Sequence, residues 1–332
     1  MSPANFGMVM ATGIVSLAAH MVGHDSLAHI LFVLNNILFL VLCVLTLLRV
    51  WRHPGAVWAD VSDHLRGPGF FTTVAACAVL AVQYMVLQNN TRAGSVLWAV
   101  ALGMWFIFTY AIFTVLTVKP SKPTLDKGIN GGWLLAVVAT QSIAVSSTLL
   151  GASAAQPYRL ELNFLALSMW LWGGMLYIWL MSLIFYRYTY FRLEPDDLTP
   201  PYWINMGAMA ISTLAGSLLL EHSADAPYLS SLQPFIKGFT IFYWAAGTWW
   251  IPMLLMLGVW RYVYKRFPLR YDPLYWGAVF PLGMYAACTF HLNQAMGFGL
   301  LSYLPRIFFI LAMFAWVLTF TGLLIKIVRK AK

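Results

Sequence analysis

The chain has 332 residues, 61% of them hydrophobic and only 9% charged, with a mean hydropathy of +0.75. A soluble domain of this length does not carry so little charge, so the composition excludes a soluble enzyme and indicates an integral membrane protein embedded in a lipid bilayer. A net charge of +9 does not bring in nucleic acid as a partner, because the basic residues are scattered through short loops between apolar runs.

Ten runs are long enough to cross a hydrocarbon core of about 30 Å as helices, and none shows the strict alternation of barrel strands. In chain order they cover 4–22, 27–51, 69–88, 94–118, 131–150, 159–187, 201–220, 234–264, 273–291 and 304–328. Connections rich in Pro, Gly, Asn and Asp separate them, and no stretch suits a soluble domain, so residues 1–332 read as one transmembrane unit. The segment before the first run has no basic residue and no small-residue cleavage site follows it, which predicts a retained helix. Cys43, Cys77 and Cys288 fall inside apolar runs without paired spacing, so no disulfide, metal or cofactor is expected.

Sixteen of the twenty Lys and Arg residues fall in the loops after the even-numbered runs and at the C-terminus, Arg270, Lys330 and Lys332 among them. Arg92, Arg159, Lys237 and Arg306 lie toward the other side. The positive-inside rule then predicts a multi-pass protein of the cell membrane with both termini cytoplasmic.

The odd-numbered runs share a pattern. Counted from Pro3, Pro68, Asn130, Pro200 and Pro273, each has an aromatic three residues on: Phe6, Phe71, Trp133, Trp203 and Trp276. Ten residues on, each has a small residue: Gly13, Ala78, Thr140, Ala210 and Gly283. Proline, interfacial aromatics and small residues recur in membrane helices generally, but a register held over five copies points to five helical hairpins. Their bounds are approximately 3–52, 68–119, 130–188, 200–265 and 273–328. The expected fold is all-α, with the hairpins in a quasi-five-fold ring, odd helices inside and even helices outside, around a central pore.

The five odd runs contain no Asp, Glu, Lys or Arg; their polar content is hydroxyls and amides such as Thr12, Ser16, Gln83, Gln141 and Ser212. Pumps and ion-coupled carriers place ionisable groups at mid-membrane. A neutral path lined by hydroxyls, small side chains and backbone binds ions weakly and suits passive conduction. In the ninth run Pro281 has no N–H for the carbonyl of Gly277, which predicts a bend there. Phe280 stands at that bend, seven residues after Pro273, where the other copies have Met10, Ala75, Val137 and Gly207. With that level turned to the axis, one phenyl ring and one methionine plug a hole otherwise walled by smaller residues, Gly13, Ala78, Thr140, Ala210, Pro281 and Gly283 adding to the lining. A large ring in a membrane helix is more often plain packing, which is the alternative reading of Phe280.

On these residues the chain resembles the tellurite-resistance and dicarboxylate-transporter family, TehA-like, which includes the slow anion channels and the yeast malate and sulfite permeases. Segments 5–16 (NFGMVMATGIVS) and 276–283 (WGAVFPLG) carry the resemblance, together with 200–207 (PPYWINMG), and it extends over essentially the whole chain. It implies a pore within each protomer, assembly as a homotrimer, permeation by small inorganic anions or C4-dicarboxylates, and a gate at Phe280.

On the side opposite the termini, His20 and His291 end odd helices at similar depths, and Lys237 lies three residues after Pro234. These residues could make the outer mouth positive; hydrogen-bonded interfacial histidines and a snorkelling lysine are the plainer reading. Two alternatives to an anion channel follow. One is a proton-coupled carrier of malate, succinate, tellurite or sulfite, using Glu221, His222, His20 or His291. The other is a membrane oxidoreductase holding haem or quinone through His20 and His291.

Overall fold

A computed structural model describes residues 2–268 and 271–331, so Arg270 and Lys332 of the basic residues counted above lie outside it. Ten long helices run through the described residues, among which there is no β-strand. They are α1 (Gly7–Met21), α2 (Asp25–Arg52), α3 (Phe71–Gln88), α4 (Thr91–Val118), α5 (Leu135–Ser153), α6 (Tyr158–Tyr190), α7 (Ile204–Glu221), α8 (Pro227–Val259), α9 (Trp276–Met296) and α10 (Leu304–Ala331). Two differences from the sequence reading have local causes. Helix α8 starts at Pro227 rather than Pro234, because proline suits a first helical turn and a membrane helix also runs through a second one. Helix α9 continues past His291 to Met296, where Gly297 takes a left-handed conformation (φ 68°) and ends it.

Each odd-numbered helix begins with a short 3₁₀ turn: Pro3–Phe6, Gly67–Phe70, Gly131–Leu134, Pro200–Trp203 and Pro273–Tyr275. Four of the five carry proline in the first two positions, where the missing N–H costs nothing. Ser2, Asn130 and Asp272 cap three of them, each side-chain oxygen accepting a backbone N–H two residues on, at 3.3, 2.8 and 2.8 Å. The five turns touch in sequence and close on themselves as a collar at the face that carries both termini. Above it α1, α3, α5, α7 and α9 also close a ring, each packing on the next and α9 packing back on α1. Every even helix packs on the inner helix of its own hairpin and on the inner helix of the next.

Tryptophans of the outer helices reinforce that second contact. The indole of Trp105 on α4 donates to Thr140 Oγ1 on α5 at 2.8 Å, and Trp98 to Ser147 Oγ at 2.8 Å. Trp170 on α6 donates to the Ser212 carbonyl on α7 (2.9 Å), Trp244 on α8 to Thr289 on α9 (3.1 Å) and Trp316 on α10 to Thr12 on α1 (3.0 Å). Between α2 and α3 an amide pair, Asn35 to Gln83 at 2.7 Å, takes the place of the indole. Each such bond satisfies a buried polar group that water cannot reach.

Nine helices among the described residues are long and apolar enough to cross a membrane. The tenth, α9, has Gly277, Pro281, Gly283, Tyr285 and His291 in its sequence, and it is mostly buried inside the ring. It needs no lipid-facing stripe, so its composition is freer. The outer helices do need one, and expose Ile30, Leu40, Phe106, Ile107, Phe314 and Leu318. Two short helices, Pro54–Val61 and Leu125–Gly128, lie in connections that the sequence reading left as loops.

Candidate functional site

Two cavities of about 290 Å³ lie at the two ends of the inner ring, and all five inner hairpin members contribute to each. The terminal-side cavity is walled by the collar and the first turn beyond it: Ala4, Gly7 and Met10; Gly69 and Thr72; Asn130, Gly132 and Leu135; Pro201 and Ile204; Leu274, Trp276 and Gly277. Arg66 stands at its rim. The far cavity is walled by Ile14, Leu17, His20 and Met21; Val82 and Val86; Val145 and Leu149; Leu214 and Leu218; Phe290 and His291. On α3, α5 and α7 the first lining stops at Thr72, Leu135 and Ile204, and the second starts at Val82, Val145 and Leu214. On these three the gap is about 15 Å of closely packed helix, while on α1 Met10 borders the first cavity and Ile14 the second, about 6 Å apart along the helix.

Phe280 lies in that packed zone and is 0% exposed. Its direction follows from its neighbours on α9. Pro281 is turned to α7, since a Cβ on Gly207 would fall 2.8 Å from its ring, and Gly283 is turned to α1, since a Cβ there would fall 3.1 Å from Ile14. At about 100° per residue, the arc between those two directions takes in Gly277, Phe280, Met284 and His291. Gly277 and His291 line the two cavities, so Phe280 and Met284 sit on the same inward arc between them. Helix α9 passes through Pro281 without interruption, and Gly277, whose carbonyl loses its partner there, borders the terminal-side cavity.

The structure corrects the third copy by one residue. Thr140 and Thr12 both receive an indole N–H, and Ser147 and Thr289 do likewise one heptad further on. These pairs match when α5 is counted from Gly131, the first residue of its 3₁₀ turn, rather than from its cap Asn130. The counterpart of Phe280 on α5 is therefore Val138, not Val137; both are 0% exposed. The level then holds Met10, Ala75, Val138, Gly207 and Phe280, and the next turn holds Ile14, Val79, Ser142, Ile211 and Met284, all buried.

Several residues expected to line the pore face elsewhere. Thr140 accepts the Trp105 indole, and a Cβ on Gly13 would meet Val79, Asn35 and Gln83. Ala210 lies with its backbone against Gly247 of α8, while Pro281 and Gly283 serve the contacts to α7 and α1. Small residues at that position let neighbouring helices approach; they do not widen the axis. Ala78, like Ala75, is fully buried. Two polar side chains fare the same way: the Ser16 hydroxyl donates to the Ala28 carbonyl (2.7 Å) and the Gln141 amide to the Trp170 carbonyl (3.0 Å), both on outer helices. Fewer polar side chains are left for the axis than the hydroxyl content suggests: Thr72 borders the terminal-side cavity, and Ser142, bonded to the Val138 carbonyl of its own helix at 2.8 Å, stays at the level of Met284.

Electrostatics differ between the ends. All five inner helices point their N-termini at the terminal-side cavity, each the equivalent of about half a positive charge. Arg66 adds a full charge, with its Nε 2.8 Å from the buried Asp60, which Arg49 also binds. At the far mouth both histidines carry carboxylates: His20 Nδ1 lies 2.6 Å from Asp25, and His291 Nδ1 lies 2.9 Å from Glu221. Lys237 is exposed on α8, whose inward face carries Ile236 and Thr240, and it takes no part in the far cavity. Asp25 begins α2 just after His20 at the end of α1, whereas Glu221 ends α7 and meets His291 of α9 only through packing.

Residues 1–324 match the family described as voltage-dependent anion channel, SLAC1. An uncharacterized transporter of Methanocaldococcus jannaschii is 27% identical over 333 residues, 98% of this chain and 93% of its own length. A second uncharacterized transporter of that organism is 26% identical, covering 96% of this chain and 90% of its own length. An uncharacterized membrane protein of Mycobacterium tuberculosis is 38% identical over 149 residues, 45% of this chain and 75% of its own length. With the match running across all five hairpins, the chain belongs to the SLAC1 family of anion channels and transporters, within the tellurite-resistance and dicarboxylate-transporter group, a family of membrane transport rather than of enzymes.

Proposed function

We propose that the protein is a passive anion channel or facilitator, closed at the level of Phe280, that conducts small inorganic anions or C4-dicarboxylates. The observation that carries this reading is the convergence of five helix N-termini on one end of an axis whose inner helices carry no Asp, Lys or Arg, with Glu221, His20 and His291 confined to the far mouth. Partial positive charges there favour an anion without a fixed cation to trap it. Beyond that vestibule the wall is apolar, and an apolar constriction holds ions back by excluding water. Rotating one side chain off the axis costs far less than moving a helix, which makes Phe280 the natural gate.

Flux into liposomes containing the purified protein tests the reading, with chloride, nitrate, sulfite, tellurite, malate and succinate compared for wild type and Phe280→Ala. A folded Phe280→Ala protein that conducts none of these anions better than wild type overturns the gate. A second reading, proton-coupled carriage, draws on His20 and His291, which line the far cavity beside Asp25 and Glu221. Uptake that stops when the pH gradient is collapsed at fixed voltage favours it over the channel. Both readings have the termini cytoplasmic, from the loop charges, and a homotrimer, from the family resemblance; native mass measurement in detergent tests the latter.

A further inference from the structure

Three guanidinium groups are tucked under the terminal-side ends of the outer helices. Arg49 of α2 pairs with Asp60, and Arg187 of α6 pairs with Asp197 at 3.1 Å. Arg261 sits in the last turn of α8, which widens into a π-helix over Trp260–Tyr264, and it pairs with no carboxylate among the described residues. Such turns are uncommon and recur at functional sites.

Arg261 is only 7% exposed. Of the five N–H groups a guanidinium carries, one donates to the Leu198 carbonyl, and the plane lies 4.3 Å from the centre of the Phe267 ring. Its Nε–H is buried and has no partner among the described residues. A cavity of about 80 Å³ opens beside it, bounded also by Thr199, Tyr262 and Tyr275. The Thr199 hydroxyl is buried and unpartnered too. The hydroxyls of Tyr262 and Tyr275 lie 2.9 Å apart, so one donates to the other and the pair keeps a proton to offer. Burying a full positive charge against a carbonyl and the negative end of a helix leaves it undercompensated, in contrast to Arg49 and Arg187.

We propose that this cavity binds a small monovalent inorganic anion, of the size of chloride or nitrate, between Arg261 and the Thr199 hydroxyl. One charge on the ion matches the one guanidinium, and the volume has room for such an ion and a water or two. The site lies off the ring axis. Thr199 precedes the 3₁₀ turn of α7 and Tyr275 ends that of α9, so the bound ion ties the starts of both helices to the end of α8.

The test uses the full-length protein in detergent and does not depend on conduction. Thermal unfolding is followed while sodium bromide or nitrate replaces sodium gluconate at constant ionic strength. Wild type is expected to show a saturable rise of about 2–4 °C in its midpoint, as for any ligand that binds only the folded state. Arg261→Gln abolishes the rise, and Thr199→Val moves half-saturation to roughly tenfold higher bromide. Phe280→Ala keeps the full rise; loss of the rise in that variant would assign binding to the pore and overturn the proposal, as would an undiminished rise in Arg261→Gln. Should Arg261→Gln not fold, anomalous scattering from bromide-soaked wild-type crystals decides: a peak between Arg261 and Thr199 supports the site, and none there at about 100 mM bromide removes it.

Discussion

The two cavities have the same volume and are walled by the same five helices, yet their polar parts differ. The terminal-side one is made of helix beginnings: glycine, proline, backbone and the caps Ser2 and Asn130 interleaved with apolar side chains such as Met10, Leu135, Ile204 and Trp276, with Arg66 at the rim. The far one is made of helix bodies, and beside the rim histidines its walls are valine, leucine and isoleucine with Met21 and Phe290. Direction of travel along the inner helices produces the difference. Because all five run the same way, their N-terminal dipoles add at one mouth, while side chains alone decide the other. On the path proposed above, an anion is drawn into one half and sheds water to cross the rest, with that cost falling in the packed zone between the cavities.

The strongest way to break this contrast is to join the two cavities. Phe280→Ala removes the largest side chain of its level and is expected to raise anion flux in liposomes by an order of magnitude or more; equal flux would show that the barrier lies elsewhere. Next comes the collar that creates the N-terminal half. A Cβ at Gly131 would fall 2.4 Å from the Pro201 carbonyl oxygen, an atom fixed in the neighbouring turn, so Gly131→Val is expected to destabilise the fold by about 1–3 kcal/mol and lower its thermal midpoint. The apolar half is probed by Met284→Ala in the Phe280→Ala background. One turn beyond the gate it thins the second layer, and a further gain of about two- to fivefold in flux is expected if dewetting there contributes.

Smaller effects sharpen the picture. Trp105→Phe removes the indole N–H that Thr140 accepts, while Thr140 keeps its own bond to the Ala136 carbonyl at 2.8 Å. A loss of about 1 kcal/mol in stability with flux unchanged is expected, because that hydroxyl serves the seam between hairpins and not the pore. Arg66→Gln is expected to lower flux entering from the terminal side by less than about threefold, and only at low ionic strength, since an exposed rim charge acts by concentrating counter-ions.

The architecture was open to reading in one dimension. Ten apolar runs, short loops and a proline or glycine at the start of every odd run reflect what a bilayer demands of any chain crossing it, and those demands act locally. The repeat was legible because each copy makes the same turn at the same face, and inner runs free of Asp, Glu, Lys and Arg were legible because those residues are absent from the runs themselves. What the sequence left undecided was facing. Residues one or two apart on a helix point in different directions, so an error of one position at Asn130 exchanged Val137 for Val138, and Thr140, Gly13 and Gly283 read as lining when they serve helix contacts. The partners of the buried hydroxyls are tryptophans on a different hairpin, Trp105 for Thr140 and Trp316, at the other end of the chain, for Thr12. No local pattern encodes a contact across 304 residues. Composition and periodicity fixed that there is a ring of membrane helices; only packing, which sets which side of each helix is left without a neighbour, decided what looks onto its axis.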